Sequence, residues 1–410
     1  MSVKSGRSNF LMRIFLTRFL PFKLAKRANL LYNGYMKIAL FGGSFDPVHV
    51  EHVHYVRAAR DALGLDKVIV LPAGVAPHKQ WGAIASGEDR LAMCRIAFSA
   101  FPWVEVSDFE VLEQGKSYTY LTCRHFAEVY PDAQLFFLVG EDMLEDFFTW
   151  KNPDDILEHA TLVACGRGDR MPASLHERFF ERFHKNFVSV PFMGGAVSSR
   201  LLRVDLAFGK IPTKMDVGVL SYIRERGLYT HPSILPALAL EKESRREHSY
   251  RVARMSVERA SSAGVSEGKA LLASALHDCG KYIPLDSPLL EDFTPPNDVP
   301  PPVMHQYTGA YLAQHCFGIE DEEILDAIRY HTSGRAGMTS LGMLVYLSDL
   351  LEEGRNFAGI DELRELFSSD LEMCLYRSLK DQLHYLQGTQ KPIYPLTEQT
   401  YQWIKKKIKG

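Results

Sequence analysis

Cysteines are few in this sequence and irregularly spaced. Six occur among 410 residues, at positions 94, 123, 165, 279, 316 and 374, and no two form a CxxC pair. A small domain held together by disulfides is therefore excluded, and we expect reduced thiols and a cytoplasmic location.

Long apolar runs and a strong excess of charge are also missing. No apolar segment approaches the roughly 18–20 residues of a membrane-spanning helix, so we expect no membrane partner. The formal net charge is −3. Seven Lys/Arg and no Asp or Glu lie in residues 1–36, so the remainder has 40 basic against 50 acidic side chains, a net charge of −10. That balance argues against binding a nucleic-acid polymer, which depends on phosphate contacts.

Residues 1–35 form a basic extension that we expect to be poorly ordered and dispensable for activity. Arg13 and Arg18 interrupt its apolar stretch, and no small-residue cleavage site follows, so we do not expect it to be a secretory signal. A basic amphipathic helix lying on a membrane surface is the alternative.

The remaining sequence divides into two parts. Over 36–230, short aliphatic runs alternate with helical stretches, which predicts an α/β domain with a doubly wound parallel sheet. Residues 231–240 contain Pro232 and Pro236, and we interpret them as a linker because proline blocks helix propagation. From 241 to 410 the apolar residues recur at helical spacing, which predicts an all-α domain.

The first candidate site follows the first predicted strand. Residues 41–52 read FGGSFDPVHVEH, a glycine turn followed by His49 and His52 at the start of a helix. Helix N-termini attract phosphate groups through unpaired N–H groups and the helix dipole. Two imidazoles placed there can donate hydrogen bonds to charge that develops in a transition state.

This string resembles the GGSFDPxHxGH signature of the nucleotidylyltransferase superfamily, and within it the nicotinate-nucleotide adenylyltransferases. Further segments resemble that family in the same order along the chain. They are Pro77-His78-Lys79, Arg90 with Met93, Ser117-Tyr118-Thr119, Gly140-Glu141-Asp142 with Trp150, residues 197–203, and residues 219–229.

The resemblance implies a Rossmann-like fold that transfers AMP from ATP to nicotinate mononucleotide, with Mg²⁺ as the counter-charge. It implies catalytic roles for His49 and His52. The nucleotide-binding residues that it implies are Gly42, Gly43, Ser44, Phe45, Asp142, Ser198, Ser199 and Arg203. The mononucleotide side would be formed by Lys79, Thr119 and Trp150; the alternatives are a surface lysine for Lys79 and a core aromatic for Trp150.

Two positions depart from the family pattern. Glu51 replaces a glycine, and we expect it to be a solvated residue that caps the helix dipole. Arg200 replaces a threonine, and it either adds a phosphate contact or faces solvent. A different acceptor, as in pantetheine-phosphate or cytidylyl transferases, remains the alternative for this domain.

The second candidate site lies on the predicted helices of the C-terminal part. Four histidines and two aspartates recur there beside aliphatic residues: His248, His277, Asp278, His305, His331 and Asp349. Imidazole and carboxylate without thiolate suit Fe, Mn, Co or Zn. Two such metals about 3.5–4 Å apart can promote in-line displacement at a phosphate.

The spacing of these residues resembles the HD-domain phosphohydrolases, and the flanking sequences resemble the bacterial symmetrical diadenosine-tetraphosphate hydrolases. The resemblance implies two transition metals, with iron favoured over Mn or Co, that cleave diadenosine tetraphosphate into two ADP. It implies catalytic roles for Asp278 and Lys281 and phosphate-binding roles for Lys281, Arg335 and Arg355. Hydrolysis of another nucleotide, or nucleotide sensing without cleavage, remains open, as does the oligomeric state.

Overall fold

The fold was analysed in a computed structural model of the chain. The structure describes residues 35–74, 84–113, 117–166, 173–192, 194–195 and 197–409, and the backbone but not the side chain of Asp142. The predicted N-terminal extension, except Tyr35, and Lys79 lie outside the described residues. Within the described part, no helix is both long and apolar enough to cross a membrane.

Six parallel strands form one sheet in the order β3-β2-β1-β4-β5-β6, which confirms the predicted doubly wound arrangement. The strands are β1 Met36–Gly43, β2 Lys67–Pro72, β3 Val104–Val106, β4 Ala133–Gly140, β5 Thr161–Gly166 and β6 Val188–Pro191. The strand order reverses between β1 and β4. In open sheets of this kind, ligands bind at the carboxyl ends of the strands that flank such a point.

Alternation of apolar side chains along β1 explains why helices cover both faces of the sheet. Ile38 and Leu40 enter one apolar core, whereas Ala39 and Phe41 enter the other. Successive residues of a strand point to opposite faces, so a continuous apolar run must be buried on both sides. The helices of this part are α1 Val50–Leu63, α2 Gly87–Ala97, α3 Phe109–Leu112, α4 Thr119–Val129, α5 Glu141–Asp146, α6 Pro153–His159, α7 Ala173–Phe183, α8 Ser199–Ala207 and α9 Val217–Arg226.

The rest of the chain is helical, as predicted, and has a third apolar core. Its helices are α10 Ile234–Ala239, α11 Glu243–Ala260, α12 Glu267–Leu276, α13 Pro301–His315, α14 Glu322–Arg329, α15 Ser340–Leu351, α16 Ile360–Ser369, α17 Leu371–Gly388 and α18 Pro395–Lys409. Short 3₁₀ turns occur at Phe147–Thr149, Ser261–Ala263 and Pro288–Leu290.

Helix α8 packs against both parts of the chain. Leu202 and Leu206, one turn apart, enter a core beneath the sheet, while Val204 and Ala207 enter the helical core. An α-helix presents residues at i, i+3 and i+4 on one face, so two such pairs define two apolar faces. The α/β part and the helical part therefore share a buried contact along this helix.

The expectation that prolines prevent a helix in the segment 231–240 is wrong. Helix α10 lies there, and its residues Ile234, Ala237 and Leu238 are part of the helical core. Pro236 is the third residue of this helix. The first N–H groups of a helix have no partner within it, so a proline in the first turn breaks no helical hydrogen bond.

Candidate functional sites

The loop that joins β1 to α1 is shaped by a glycine and an aromatic ring. Phe45 is buried, and a Cβ atom added at Gly43 would lie only 3.0 Å from its ring. The same ring packs edge-on against His52, with centroids 5.0 Å apart. The glycine at position 43 therefore lets Phe45 fold back onto the strand end and support the imidazole.

His49 and His52 lie together at the N-terminus of α1. Their rings stack with centroids 3.7 Å apart. The backbone N–H of His49 donates to Nδ1 of His52 at 3.1 Å. Because Nδ1 accepts this bond, the proton of a neutral His52 ring resides on Nε2. The loop backbone thus fixes which nitrogen of His52 can donate.

Burial keeps both imidazoles uncharged at neutral pH. Desolvation lowers the pKa of His49 to about 4. The pKa of His52 is lowered well below its ordinary value by desolvation and by the neighbouring His49. The pair therefore offers N–H donors rather than permanent positive charges.

Asp46 fastens the β1–α1 loop to the rest of the domain, and the sequence analysis gives it no role. Its carboxylate accepts hydrogen bonds from the N–H groups of Ile84 and Ala85, at 2.8 and 3.1 Å, and from the Tyr229 hydroxyl at 2.8 Å. Arg90, also buried, donates to the carbonyl of Ser44 at 2.9 Å. These contacts join the loop to α2, to the residues just before it and to the segment after α9. Asp46 belongs to the quoted motif, but only the fold reveals its partners.

The three predicted nucleotide-binding residues of α8 differ in what they contact. The Ser199 hydroxyl donates to the carbonyl of Pro47 at 2.9 Å, so it fastens α8 to the loop. Ser198 is exposed. Arg203 donates to the carbonyl of Asp46 and, through its other amino group, to Glu267 at the start of α12. The helix start predicted to hold phosphates therefore lies beside the loop that carries His49.

Arg200 has partners that neither expectation named. Its Nε donates to Glu267 at 2.7 Å, and one amino group donates to the carbonyl of Glu258 at 3.0 Å. The side chain is 32% exposed and reaches the helical part of the chain. The sequence could not reveal this contact, because the partners are about 60 residues apart.

The expectation for Glu51 is wrong, because its side chain is buried rather than solvated. Its two carboxylate oxygens lie 3.0 and 3.2 Å from the points where Cβ atoms on Gly194 and Gly195 would be. Its other neighbour is His54, 3.5 Å away. Glu51 thus occupies space that the two glycines leave between β6 and α8.

The predicted mononucleotide side lies partly within the described residues. Thr119 is the first residue of α4, and Trp150 follows the 3₁₀ turn after α5. Their chain neighbours meet, since the Lys151 ammonium lies 4.2 Å from the centre of the Tyr118 ring. Trp150 packs edge-on against Phe137 and at 5.3 Å from Phe147, so it also belongs to the aromatic core. Asp142 lies just after β4, at the predicted ligand edge.

The six predicted metal ligands come together in the helical part. His248 Nε2 lies 2.9 Å from Asp349 Oδ1, and His277 Nε2 lies 3.6 Å from Asp278 Oδ2. His305 and His331 approach Asp278 Oδ1 to 3.2 and 3.6 Å. Two ligand triads share His277: one with His248 and Asp349, the other with Asp278 and His331.

Hydrogen bonds to main-chain carbonyls orient two of these rings. Nδ1 of His277 donates to the carbonyl of Ser274, and Nδ1 of His331 to that of Ile328, both at 2.7 Å. A carbonyl only accepts, so each neutral ring keeps a lone pair on Nε2. Within the described residues, Nε2 of His277 is buried and makes no hydrogen bond. Burial lowers the pKa of His277 to about 3, so the ring is neutral and able to ligate a metal.

The donor set fits two divalent transition metals. Four imidazoles and two carboxylates surround one buried space, with no thiolate among them. The two overlapping triads place the shared His277 between two groups of ligands. Nitrogen and carboxylate donors of this kind suit Fe, Mn, Co or Zn.

Two further residues belong to this cluster and were missed by the sequence analysis. Glu352 is buried; Nδ1 of His248 donates to it at 3.0 Å, and Arg251 donates at 2.5 Å. Arg245 pairs with Asp278 at 2.9 Å. Each lies three residues from a predicted ligand, Glu352 after Asp349 and Arg245 before His248. That spacing puts them on the ligand face of a helix and is the signal that could have found them.

The structure brings together two of the three predicted phosphate-binding cations of this part. Lys281 lies 3.2 Å from Asp278, and Arg355 lies 2.9 Å from Asp349. Arg335 instead pairs with Asp326 at 2.7 Å and lies over the Tyr330 ring. Cys279 is buried among apolar residues, as expected of a packing residue.

Comparisons with known proteins match two separate stretches of the chain. The Cytidylyltransferase-like family matches residues 40–195, and the HD domain family matches residues 245–354. A Mycoplasma pneumoniae protein named probable nicotinate-nucleotide adenylyltransferase/Ap4A hydrolase is 30% identical over 360 residues, which cover 86% of this chain and 99% of that protein. The chain belongs to the nicotinate-nucleotide adenylyltransferase/Ap4A hydrolase family.

Each half of this bifunctional family member also resembles a separate protein. A probable nicotinate-nucleotide adenylyltransferase of Clostridium tetani is 37% identical, covering 47% of this chain and 98% of that protein. The symmetrical bis(5'-nucleosyl)-tetraphosphatase of Bacillus subtilis is 38% identical, covering 41% of this chain and 95% of that protein. A solved HD superfamily hydrolase from Clostridium acetobutylicum is 28% identical, with a TM-score of 0.40, covering 42% of this chain and 96% of that one.

Proposed function

We propose that the α/β part transfers AMP from ATP to nicotinate mononucleotide, releasing pyrophosphate and forming the deamido dinucleotide. The phosphate of the mononucleotide attacks the α-phosphorus of ATP, so no protein nucleophile is needed. Catalysis then depends on positioning and on stabilising charge. The observation that carries this proposal is the stacked, uncharged His49–His52 pair at a helix N-terminus, at the edge where the strand order reverses.

Some residues of this site donate hydrogen bonds to the phosphates, and others hold the nucleotide in place. Nε2 of His52 donates to the phosphate chain, and His49 completes the pair. The Gly42–Phe45 turn and Asp142 hold the nucleotide, and Ser198, Ser199 and Arg203 lie on the phosphate side. Mg²⁺ enters with ATP and supplies positive charge to its phosphates. Thr119, Trp150 and Lys79 form the mononucleotide side.

The test is formation of the deamido dinucleotide from labelled ATP and nicotinate mononucleotide. We expect His49→Ala to lower the rate constant about 10²–10³-fold, the effect of one lost transition-state donor. His54→Ala is the matched control, because His54 lies on the same helix and is exposed. An unchanged rate in His49→Ala contradicts the assigned role, and transfer to a pantetheine phosphate instead contradicts the acceptor.

We propose that the helical part hydrolyses diadenosine tetraphosphate symmetrically to two ADP. The observation that carries this proposal is the convergence of six imidazole and carboxylate ligands around the unbonded Nε2 of His277. We expect iron, with Mn or Co as replacements. Metals bound there supply Lewis-acid charge to the phosphate oxygens.

The cations beside the ligands bind the polyphosphate. In the structure, Lys281, Arg245 and Arg355 each pair with a ligand carboxylate. When metals neutralise these carboxylates, the three cations become available to phosphate oxygens at the rim of the cluster. Their arrangement around both Asp278 and Asp349 suits a chain of several phosphates rather than one. Arg335, which pairs with Asp326 instead, is the further proposed phosphate-binding residue.

The test is ADP formation from diadenosine tetraphosphate in the presence of Fe²⁺ or Mn²⁺. We expect His277→Ala to abolish it while adenylyl transfer continues. His315→Ala, at an exposed histidine of α13, is the control. ADP formation that survives His277→Ala refutes the proposal, as does a wild-type protein that binds metal and cleaves no dinucleotide.

We also propose a cytoplasmic location, which is where these nucleotide substrates occur. The six cysteines are all free, as a reducing compartment requires.

A further inference from the structure

A carboxylate of the helical part contacts an arginine of the adenylyl-transfer site. Arg203, on α8, donates to the carbonyl of Asp46 in the β1–α1 loop and to Oε2 of Glu267. Glu267 is the first residue of α12, in the other half of the chain. The Arg203 side chain is 8% exposed and that of Glu267 is 21% exposed, so the pair is largely shielded from water.

A second arginine contacts the other oxygen of the same carboxylate. Arg200 lies one helical turn before Arg203, and its Nε donates to Oε1 of Glu267 at 2.7 Å. Glu267 therefore bridges two arginines on one face of α8. Arg200 is also the position at which this segment departs from the motif that it resembles.

The bridge lies beside the loop where, under the proposed function, the ATP phosphates bind. Arg203 is hydrogen-bonded to the loop that leads directly into His49, and it is the cation of α8 nearest to that loop's backbone. Carboxylate and phosphate oxygens both accept from guanidinium N–H groups, and such charge-assisted bonds are the strong ones. An N–H that donates to Glu267 cannot donate to a phosphate at the same time, and the negative charge of this carboxylate opposes that of an approaching phosphate.

We propose that Glu267 is a positioning residue for adenylyl transfer, which competes with the ATP phosphates for Arg203. ATP and Glu267 then compete for the guanidinium group of Arg203, so ATP binding weakens the contact between the two halves of the chain. When ATP is absent, Glu267 holds the Arg203 side chain extended along the loop. Because this contact must be broken for Arg203 to bind phosphate, it lowers the affinity for ATP. This inference rests on the proposed adenylyl-transfer function.

The test is the KM for MgATP of Glu267→Gln, with the dissociation constant of a non-hydrolysable ATP analogue measured on the same full-length protein. Glutamine keeps the shape and one acceptor but removes the charge. We expect KM and the dissociation constant to fall about five- to tenfold, while kcat changes less than twofold. A contact that only holds the two halves together would leave ATP affinity unchanged or weaken it.

Asp205→Asn is the matched control. Asp205 lies on the same helix and also pairs across the contact, with Arg254 at 2.9 Å and Tyr250 at 2.6 Å. Its loss removes a negative charge and a cross-contact bond without touching Arg203, so we expect ATP affinity to stay within twofold. An equal gain of ATP affinity in both variants overturns the proposal. A weaker contact between the two halves, or the loss of any one negative charge, would then explain the gain.

Arg200→Thr tests the bridge from the opposite side. Without Arg200, Glu267 binds Arg203 alone, so the KM for MgATP should rise; in the Glu267→Gln background the same change should have no effect. An equal effect in both backgrounds overturns the bridge. A wild-type protein that binds the analogue but makes no deamido dinucleotide refutes the proposed function alone, since the affinity measurements still test the competition.

Discussion

Glu352→Gln should weaken metal binding in the helical part although Glu352 is not a predicted ligand. The carboxylate accepts from Nδ1 of His248 at 3.0 Å and from Arg251, and it is 2% exposed. Burial alone would raise the pKa of Glu352, but the hydrogen bonds from Arg251, His248 and the Gly354 N–H lower it to about 2. The ionised group therefore orients His248 and increases the basicity of its Nε2.

Outer hydrogen-bond partners of this kind typically contribute 10–100-fold to metal affinity, which corresponds to about 1.4–2.7 kcal/mol. Glutamine is of similar size, so the loss should reflect orientation and charge rather than a cavity. We expect the metal dissociation constant to rise within that range, and hydrolysis at limiting Mn²⁺ to fall in parallel.

The assay is competition for Mn²⁺ with a chelator, together with ADP formation at a series of Mn²⁺ concentrations. Adenylyl transfer by the same protein is the internal control for folding. Glu353→Gln is the matched variant, because Glu353 is the exposed neighbour. Equal metal affinity in the wild type and Glu352→Gln would refute the reasoning.

Three other outcomes follow from the two sites. The pKa of His49 is about 4 in the folded protein and about 6.5 in the unfolded chain. The stability of the fold is therefore unaffected by this group above pH 6.5. As the pH falls from 6.5 to 4, the unfolded chain takes up a proton that folded His49 does not, so the free energy of unfolding decreases. The wild type should therefore lose about 3 kcal/mol of unfolding free energy from this group, and His49→Asn should lack that loss in chemical denaturation at pH 7 and pH 4. Arg245→Gln should lower kcat/KM for diadenosine tetraphosphate about tenfold or more without changing metal content, since a charge-assisted bond to phosphate contributes about 1.5–3 kcal/mol; equal steady-state kinetics would contradict this. Trp150→Ala should raise the KM for nicotinate mononucleotide about tenfold and leave that for ATP unchanged, the effect of one lost stacking contact; a change in both constants would indicate a purely structural role.

Much of the fold could be predicted because it depends on local patterns. The run Ile38–Phe41 is apolar at every position, which requires a strand buried on both faces, and the structure has a parallel sheet as predicted. The helical ligand positions likewise follow from spacing along the chain. Pro236 misled the prediction because a proline's effect depends on its position within the helix, which composition does not give.

Contacts across long stretches of sequence could not be predicted. Arg200 and Glu267 meet because α8 packs against α11, which in turn packs against α12, and Glu51 is buried beside the two glycines that follow β6. The partners of the Asp46 carboxylate come from two separate segments. These residues gain their roles from packing, whereas the histidines of both sites carry their chemistry in their side chains.

The most direct test of the two-site account is anomalous diffraction from crystals of the full-length chain grown with Mn²⁺. We expect two manganese peaks about 3.5–4 Å apart, enclosed by His248, His277, Asp278, His305, His331 and Asp349, with Nε2 of His277 facing them. Manganese bound elsewhere, with these six side chains making no contact to it, would contradict the account.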